Sequence, residues 1–356
     1  MQPHSAPGET ILFEVDGSKK SGSGTVLRLS IAFSAVTSQP LHIFNIRAKR
    51  PQPGLKPQHL EAVLTAAKLC SAKMEGAVLK SRELWFTPNE IRGGTFEAEI
   101  GTAGSIPMLL LTVLPICSYA AEAVQLHIAK GGTDTWSAPT INYLRFVLLP
   151  TLKKMGLSAS LVVHRYGYYP KGMGEVTMTV EPCRKLQPFR LTEVGNIINV
   201  RGYSVCTFLA DRHVAQRQAD AARARLAQLG FAARIEVVND TSNPLQKGSS
   251  IVLWAETDSG VILGADAIGE LGKSSESVGR EAAEKLFAEI QSRPTVDFHM
   301  ADMLIPYAAL AEGSSKFLIR KESHHLETNI WLAEKLVGTK FVVTKMDGLS
   351  KVEKVR

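Results

Sequence analysis

The sequence predicts a mixed α/β (α+β) protein built from β-α-β-α-β-β units, with a smaller α/β module set into the chain. Three observations carry this prediction. Apolar residues switch repeatedly between alternating and helical spacing; the order of those segments recurs after about 84 residues; and after Pro182 the order changes, returning only in the last part of the chain. Two complete copies and a third, incomplete one follow.

In the first copy, Thr10–Asp16 alternates as a strand and residues 24–36 carry helical spacing. A strand near Leu41–Arg47, a helix over Pro57–Cys70 opened by its proline, and strands at Ala77–Leu79 and Glu83–Phe86 complete it. The second copy reads as strand Thr95–Ile100, helix Gly104–Tyr119, strand Val124–Ala129, helix Ala138–Met155, and strands Ser158–Val163 and Gly174–Val180. The different stretch holds strands at Ile197–Val205, Arg234–Val238, Ser250–Ala255 and Val261–Ala265, with helices His213–Leu229 and Glu276–Gln291. The tail returns with helix Phe298–Ala311, strand Lys316–Ile319, helix Glu327–Leu336, strand Lys340–Thr344 and a last strand after Asp347. The expected division is a body of residues 1–184 and 293–356, interrupted by a module of four strands and two helices at residues 185–292.

With 356 residues, 45% hydrophobic and 21% charged, the chain has the composition of a folded globular protein. A net charge of +7 suits a polyanionic partner, and equally suits a basic surface kept for solubility. The four cysteines, Cys70, Cys117, Cys183 and Cys206, lack finger or CxxC spacing and read as reduced thiols. The start, Met1 to Pro7, lacks the basic-then-apolar pattern of a secretory signal, so a cytoplasmic address is expected. The most apolar stretch, Ile106 to Ala121, is broken by prolines and polar residues and too short for a membrane span, so no membrane partner is expected.

Several segments can carry chemistry. Asp16-Gly-Ser-Lys-Lys-Ser-Gly-Ser-Gly-Thr-Val-Leu-Arg28 runs from a strand into a helix, a geometry that turns backbone N–H groups toward an anion or simply makes a tight connection. Arg47, Lys49 and Arg50 precede Gln58-His59 at a helix start, and arginine forks match phosphate oxygens. Gly131-Gly-Thr-Asp134 leads through Ser137-Ala-Pro139 into a helix, with Asp134 read first as a cap. Gly167 to Glu175 reads as a glycine-permitted turn, Asp297-Phe-His-Met-Ala-Asp302 opens one helix, and Ser323-His-His-Leu-Glu-Thr-Asn329 opens another. A histidine in that last loop can be a metal ligand, an acid or base, or a nucleophile.

Taken together and in this order, these segments resemble the motif set of the RNA 3′-terminal phosphate cyclases over nearly the whole chain. The resemblance implies a body of three repeats similar to the C-terminal domain of translation initiation factor 3. It also implies the family reaction: an RNA 3′-phosphate becomes a 2′,3′-cyclic phosphate, ATP becomes AMP and pyrophosphate, and the path runs through a covalent histidine–AMP and an RNA-adenylate.

The implied partners are ATP and RNA ending in a 3′-phosphate, with a divalent metal, Mg2+ or Mn2+, and no indication of oligomeric state. By the His-Leu-x-Thr-Asn match the nucleophile maps onto His325 rather than His324. Arg28, Arg47, Arg50, Gln58 and His59 match positions around the phosphates; Pro139 and the run His299, Met300, Ala301, Asp302 and Met303 match the adenosine side.

The chain also departs from the family pattern. Ser21-Gly-Ser-Gly-Thr25 stands where the family has Glu-Gly-Gly-Gly-Gln, removing a glutamate implied to help hold metal. Leu111 and Met303 replace glutamines, His299 replaces an aromatic residue, and Met173 interrupts a triple glycine. These changes leave a second expectation standing, a non-catalytic RNA-binding or ribosome-assembly relative that keeps the fold.

Overall fold

Ser23 accepts a hydrogen bond from the Thr25 amide and so opens α1 (Gly24–Thr37) directly after strand β1 (Phe13–Asp16). The computed structural model describes residues 11–183 and 185–355; the expectations placed on Met1 to Pro7, on Thr10 and on the boundary at Arg184 lie outside those residues. β2 (Leu41–Phe44), α2 (Pro57–Cys70), β3 (Lys73–Glu75) and β4 (Leu84–Thr87) complete the first unit. Its sheet has the order β1-β2-β4-β3, with β1 and β2 parallel and the remaining pairs antiparallel. The strand expected at Ala77–Leu79 forms earlier, at β3: Gly76, at φ +78°, turns the chain out of the sheet and leaves Val78 and Leu79 exposed.

The second unit repeats this with β5 (Gly94–Glu99), α3 (Ile106–Cys117), β6 (Val124–Gly131), α4 (Ile141–Tyr143), α5 (Leu149–Lys153), β7 (Ala159–Arg165) and β8 (Gly174–Val180). Its order, β5-β6-β8-β7, has the same succession of one parallel and two antiparallel pairs. The single helix expected from Ala138 starts later and is broken. Thr140 caps it by accepting from the Tyr143 amide, and a wider π turn, Leu144–Leu148, leads into Pro150, which has no N–H to give to the helical ladder.

The chain then forms β9 (Arg190–Leu191), β10 (Ile197–Thr207), α6 (Val214–Gln228), β11 (Ala233–Asp240), β12 (Gly248–Thr257), β13 (Ile262–Ile268) and α7 (Ser275–Ser292). β10 to β13 make their own sheet, β11-β10-β12-β13. It is packed against α6 and α7 around a separate apolar cluster that includes Ile251, Leu253, Leu263 and Leu286. The last elements are α8 (Met300–Met303), α9 (Ile305–Leu310), β14 (Lys316–Ile319), α10 (His324–Leu336), β15 (Phe341–Lys345) and β16 (Ser350–Lys354). The helix expected from Phe298 begins at Met300 because the Asp297 carboxylate accepts from the His299 and Met300 amides. Pro306 marks the start of its second segment.

The third copy, incomplete in the sequence reading, is complete in the structure. β9 runs parallel to β14, and β14-β16-β15 adds two antiparallel pairs, so the missing first strand is Arg190–Leu191, upstream of the interposed sheet. Within the body α1 packs against α2, α3 and α10, and one continuous apolar cluster joins the units. The four cysteines are free thiols. Among the described residues, no helix is long and apolar enough to cross a membrane.

Candidate active site

Because the units repeat, their helices start from corresponding places, and the first turns of α1, α2, α3 and α10 line one cavity of 1310 Å3. Ser23, Ser105 and Ser323 cap three of these helices by accepting from the amides of Thr25, Met108 and Leu326; α2 begins instead with Pro57. Each helix start brings partial positive charge and amide donors to its end. Four of them around one space suit an anionic ligand.

Arginine and lysine side chains on the lining reinforce the same sign, with Asp266, Glu270, Glu281 and Asp302 opposing it. Arg28, Arg47, Arg50 and Lys56 line the cavity. Burial and the neighbouring Arg47 and Arg50 bring Arg28 down to about 10, against the opposing pull of Asp302. Arg28 is therefore still a cation at neutral pH. Arg47 is buried and spends one arm of its fork on its own loop, donating from Nη1 to the carbonyls of Gln52 (2.8 Å) and Gly54 (2.7 Å). Arg50 is exposed.

His59 is buried, and burial together with Arg28, Arg47, Lys56 and Arg50 pushes it down to about 2, so it is neutral. Its Nδ1 has no partner. Gly24 makes room for it: a Cβ there would lie 2.3 Å from His59 Nε2 and 2.8 Å from Arg28 Nη1. Gln58 uses Oε1 to accept from the Ser105 amide (2.8 Å), fastening the start of α2 to that of α3.

His325 occupies the first turn of α10 rather than the loop before it. Its neighbour His324 has a side chain 91% exposed, beside Glu327, whereas His325 faces the cavity and meets Thr25: Nδ1 lies 3.2 Å from Thr25 Oγ1. Arg28 Nη2 donates to the same Oγ1 at 3.1 Å. Burial, Arg28, Arg50 and His324 hold the imidazole below its ordinary value, which favours the neutral form at pH 7. With the proton on Nδ1, Thr25 Oγ1 accepts from both neighbours and Nε2 keeps a free lone pair.

Pro139, His299, Asp302 and Met303 also line the cavity. His299 meets Tyr143 edge-on at 6.0 Å between ring centroids. Asp302, raised to about 6 chiefly by burial, sits within the field of His299 and Arg28, and its carbonyl accepts from Asn329 of α10 at 2.7 Å. Of the residues singled out from the sequence, His325, Arg28, Arg47, Arg50, Gln58, His59, Pro139, His299, Asp302 and Met303 meet around this space, as does Leu111. Met300 and Ala301 do not; they lie on the other side of the turn, buried in the body's core.

Asp134 is not free to cap or touch a ligand in its charged form. It is buried, accepts from Thr133 Oγ1 at 2.7 Å, and is pushed up to about 7 by burial. The sequence reading missed Thr25 as the partner of His325 and missed Trp136 and Tyr169 at the cavity wall. It also missed the interposed unit's contribution, Asp266, Lys273 and Lys285 among others. The capping pattern Ser23-Gly-Thr25 was the one available signal for the first of these.

A divalent ion needs several hard oxygen donors. Among the described residues no group of three or more His, Cys, Asp or Glu side chains is arranged to hold a metal ion, and Ser21, a hydroxyl bonded to Ser23, stands where a glutamate was expected. The cavity wall near His325 is cationic, so these residues do not fit a metal held by the protein itself.

A family model described as RNA 3′-terminal phosphate cyclase matches residues 19–343. The chain is 43% identical over 341 residues to the RNA 3′-terminal phosphate cyclase of Pyrobaculum aerophilum, covering 95% of this chain and 97% of the relative. It is 42% identical over 341 residues to that of Methanosarcina barkeri (96% and 99% covered). The corresponding protein of Pyrococcus furiosus is 43% identical over 329 residues (92% and 94% covered).

Proposed function

The chain belongs to the RNA 3′-terminal phosphate cyclase family, and on that footing we propose that it converts an RNA 3′-phosphate to a 2′,3′-cyclic phosphate at the expense of ATP. The observation that carries the reading is His325: a neutral imidazole, oriented through Nδ1 by Thr25, on the wall of a cavity rimmed by arginines and helix starts.

In this reading Nε2 of His325 attacks the α-phosphorus of ATP, the bond to the β-phosphate oxygen breaks, and pyrophosphate leaves. The Nδ1 proton stays on the ring and the positive charge that develops is shared with Thr25 Oγ1. An oxygen of the RNA 3′-phosphate then attacks the same phosphorus, giving an RNA–AMP anhydride and returning the imidazole to its neutral form. Finally the ribose O2′ attacks the 3′-phosphorus and gives up its proton to solvent, while the bond from that phosphorus to the bridging oxygen breaks and AMP departs with the electron pair. The nucleophile of the last step is already tethered beside its target, so closure of the ring needs little more than a good leaving group.

Arg28 and Arg50 are the cations this chain brings to the triphosphate, while neutral His59 offers a hydrogen bond without adding charge. Pro139, His299 and Met303 are assigned to the base and Asp302 to the adenosine side. Among the described residues the family's divalent ion lacks a donor set.

The test is labelling with ATP carrying a radioactive α-phosphate, followed by an RNA ending in a 3′-phosphate. The wild-type protein should yield an acid-labile protein–AMP and then a cyclic end; His325→Ala should yield neither while remaining folded. Undiminished labelling of His325→Ala would overturn the assignment.

A further inference from the structure

Two large aromatic side chains sit in water beside the cavity. Trp136 is 57% exposed and Tyr169 is 60% exposed, and their rings stack at 5.2 Å between centroids, 30° from parallel. Both line the cavity that His325 also lines. A buried aromatic pair stabilises a core; an exposed one contributes little to folding, and it presents flat faces on which an unpaired base can stack.

The turn that carries Tyr169 is held from outside the body. Asn243, buried in the connection between β11 and β12, donates from Nδ2 to the carbonyls of Tyr166 (2.7 Å) and Gly172 (3.1 Å). Gln246 donates to the Tyr169 carbonyl (3.0 Å) and accepts from the Lys171 amide (3.2 Å). Gly248 lets the two units close up, since a Cβ there would fall 2.1 Å from the Tyr168 ring. The same pair of turns bears exposed Lys171 and Lys247 and the exposed apolar side chain of Leu245.

We propose that Trp136 and Tyr169, buttressed by Asn243 and Gln246 of the interposed unit, form a platform on which an unpaired base near the 3′ end of the RNA stacks. The proposal rests on the cyclase reading of the cavity. A strand is favoured over the base of ATP because the lysines supply cations beyond those around His325, and further phosphates are what a strand brings. Asn243 and Gln246 are positioning residues; they hold the turn and do not reach the base.

The experiment measures binding of a ten-nucleotide single-stranded RNA bearing a 3′-phosphate, by fluorescence anisotropy, beside the ATP concentration that half-saturates protein–AMP formation. Trp136→Ala and Tyr169→Ala should each weaken RNA binding by roughly ten-fold, with the loss falling on RNA much more than on ATP. Tyr169→Phe should restore it, and Gln246→Ala should weaken RNA in the same sense by loosening the turn. An RNA affinity unchanged in the double alanine variant overturns the platform, as does a loss that falls on ATP instead, which would assign the rings to the donor base. If RNA binding drops as expected while wild-type protein forms no cyclic end, the platform stands and the cyclase reading falls.

Discussion

Asp297 ties three parts of the molecule together, and replacing it separates what its charge does from what its acceptors do. Oδ1 accepts from the Tyr143 hydroxyl (2.6 Å) and from the amides of His299 and Met300 (3.0 Å each), and Oδ2 accepts from the Gly264 amide (2.9 Å). Asparagine can keep its amide oxygen at the Oδ1 position, retaining those bonds, but turns an NH2 group toward the Gly264 N–H. One buried donor without an acceptor costs about 1–3 kcal/mol. Burial pushes the Asp297 carboxyl up, so the neutral amide also escapes part of the cost of burying a charge. The expected loss for Asp297→Asn is therefore about 1–2 kcal/mol. Alanine strips every acceptor from four donors, and at about 1 kcal/mol apiece the expected loss is about 4 kcal/mol. Urea unfolding at neutral pH measures both, with the ATP dependence of protein–AMP formation reporting on the loosened His299 segment. A loss below about 1 kcal/mol for alanine would refute the accounting, and an asparagine variant as unstable as alanine would show that charge, rather than acceptor count, holds the junction.

Two further outcomes test the site. His325 sits below its ordinary value through burial and through Arg28, Arg50 and His324, so protein–AMP formation should fall in acid only below about pH 6.5. Arg50→Ala removes one source of that depression and should move this limb toward higher pH in single-turnover labelling; movement the other way would contradict the assigned cause. Gly24→Ala places a methyl group 2.3 Å from His59 Nε2 in a helix that otherwise favours alanine. Buried His59 and the neighbouring Arg28 must shift to admit it, so the substitution should lower stability by about 1–3 kcal/mol while raising the ATP half-saturation roughly ten-fold, about 1.4 kcal/mol of lost binding; unchanged stability and unchanged use of ATP would mean that His59 moves aside at no cost.

Most elements were legible because local chemistry specified them. Pro57 fixed the start of α2 to the residue, and the alternation of Gly174–Val180 matched β8. Where the reading failed, distant partners or backbone chemistry decided. β9 is two residues long and is a strand only because it pairs with Lys316 and Phe317, far along the chain. The broken helix before β7 needed the combined effect of Thr140 and Pro150, which periodicity cannot register.

At the site, the resemblance marked His325, but Thr25 is 300 residues away from it and no local pattern links them. Met300 and Ala301 entered the site as neighbours within a motif, although helical spacing alone separates His299, Asp302, Met303 and Pro306 on the cavity side from Met300, Ala301, Leu304 and Ile305 on the core side. Asn243 and Gln246 were invisible for a different reason. Their work is done through backbone carbonyls and amides of another unit, which leave no trace in residue type.

The closure of the third sheet also bears on the order in which the chain folds. Thr295 Oγ1 donates to the Leu191 carbonyl at 2.7 Å across a separation of 104 residues, and Arg293 reaches back to the Gly195 carbonyl beside it. Bringing such ends together in a flexible chain costs about 4 kcal/mol of entropy before any contact rewards it. The interposed unit has its own apolar cluster, so it can collapse first and deliver both ends of the loop already side by side. β9 and β14 then meet as near neighbours. If the interposed sheet forms ahead of the body's last one, destabilising substitutions in the cluster around Leu253 and Leu286 should slow completion of the body in refolding kinetics as well as unfold their own surroundings; an unchanged refolding rate of the body would refute that order.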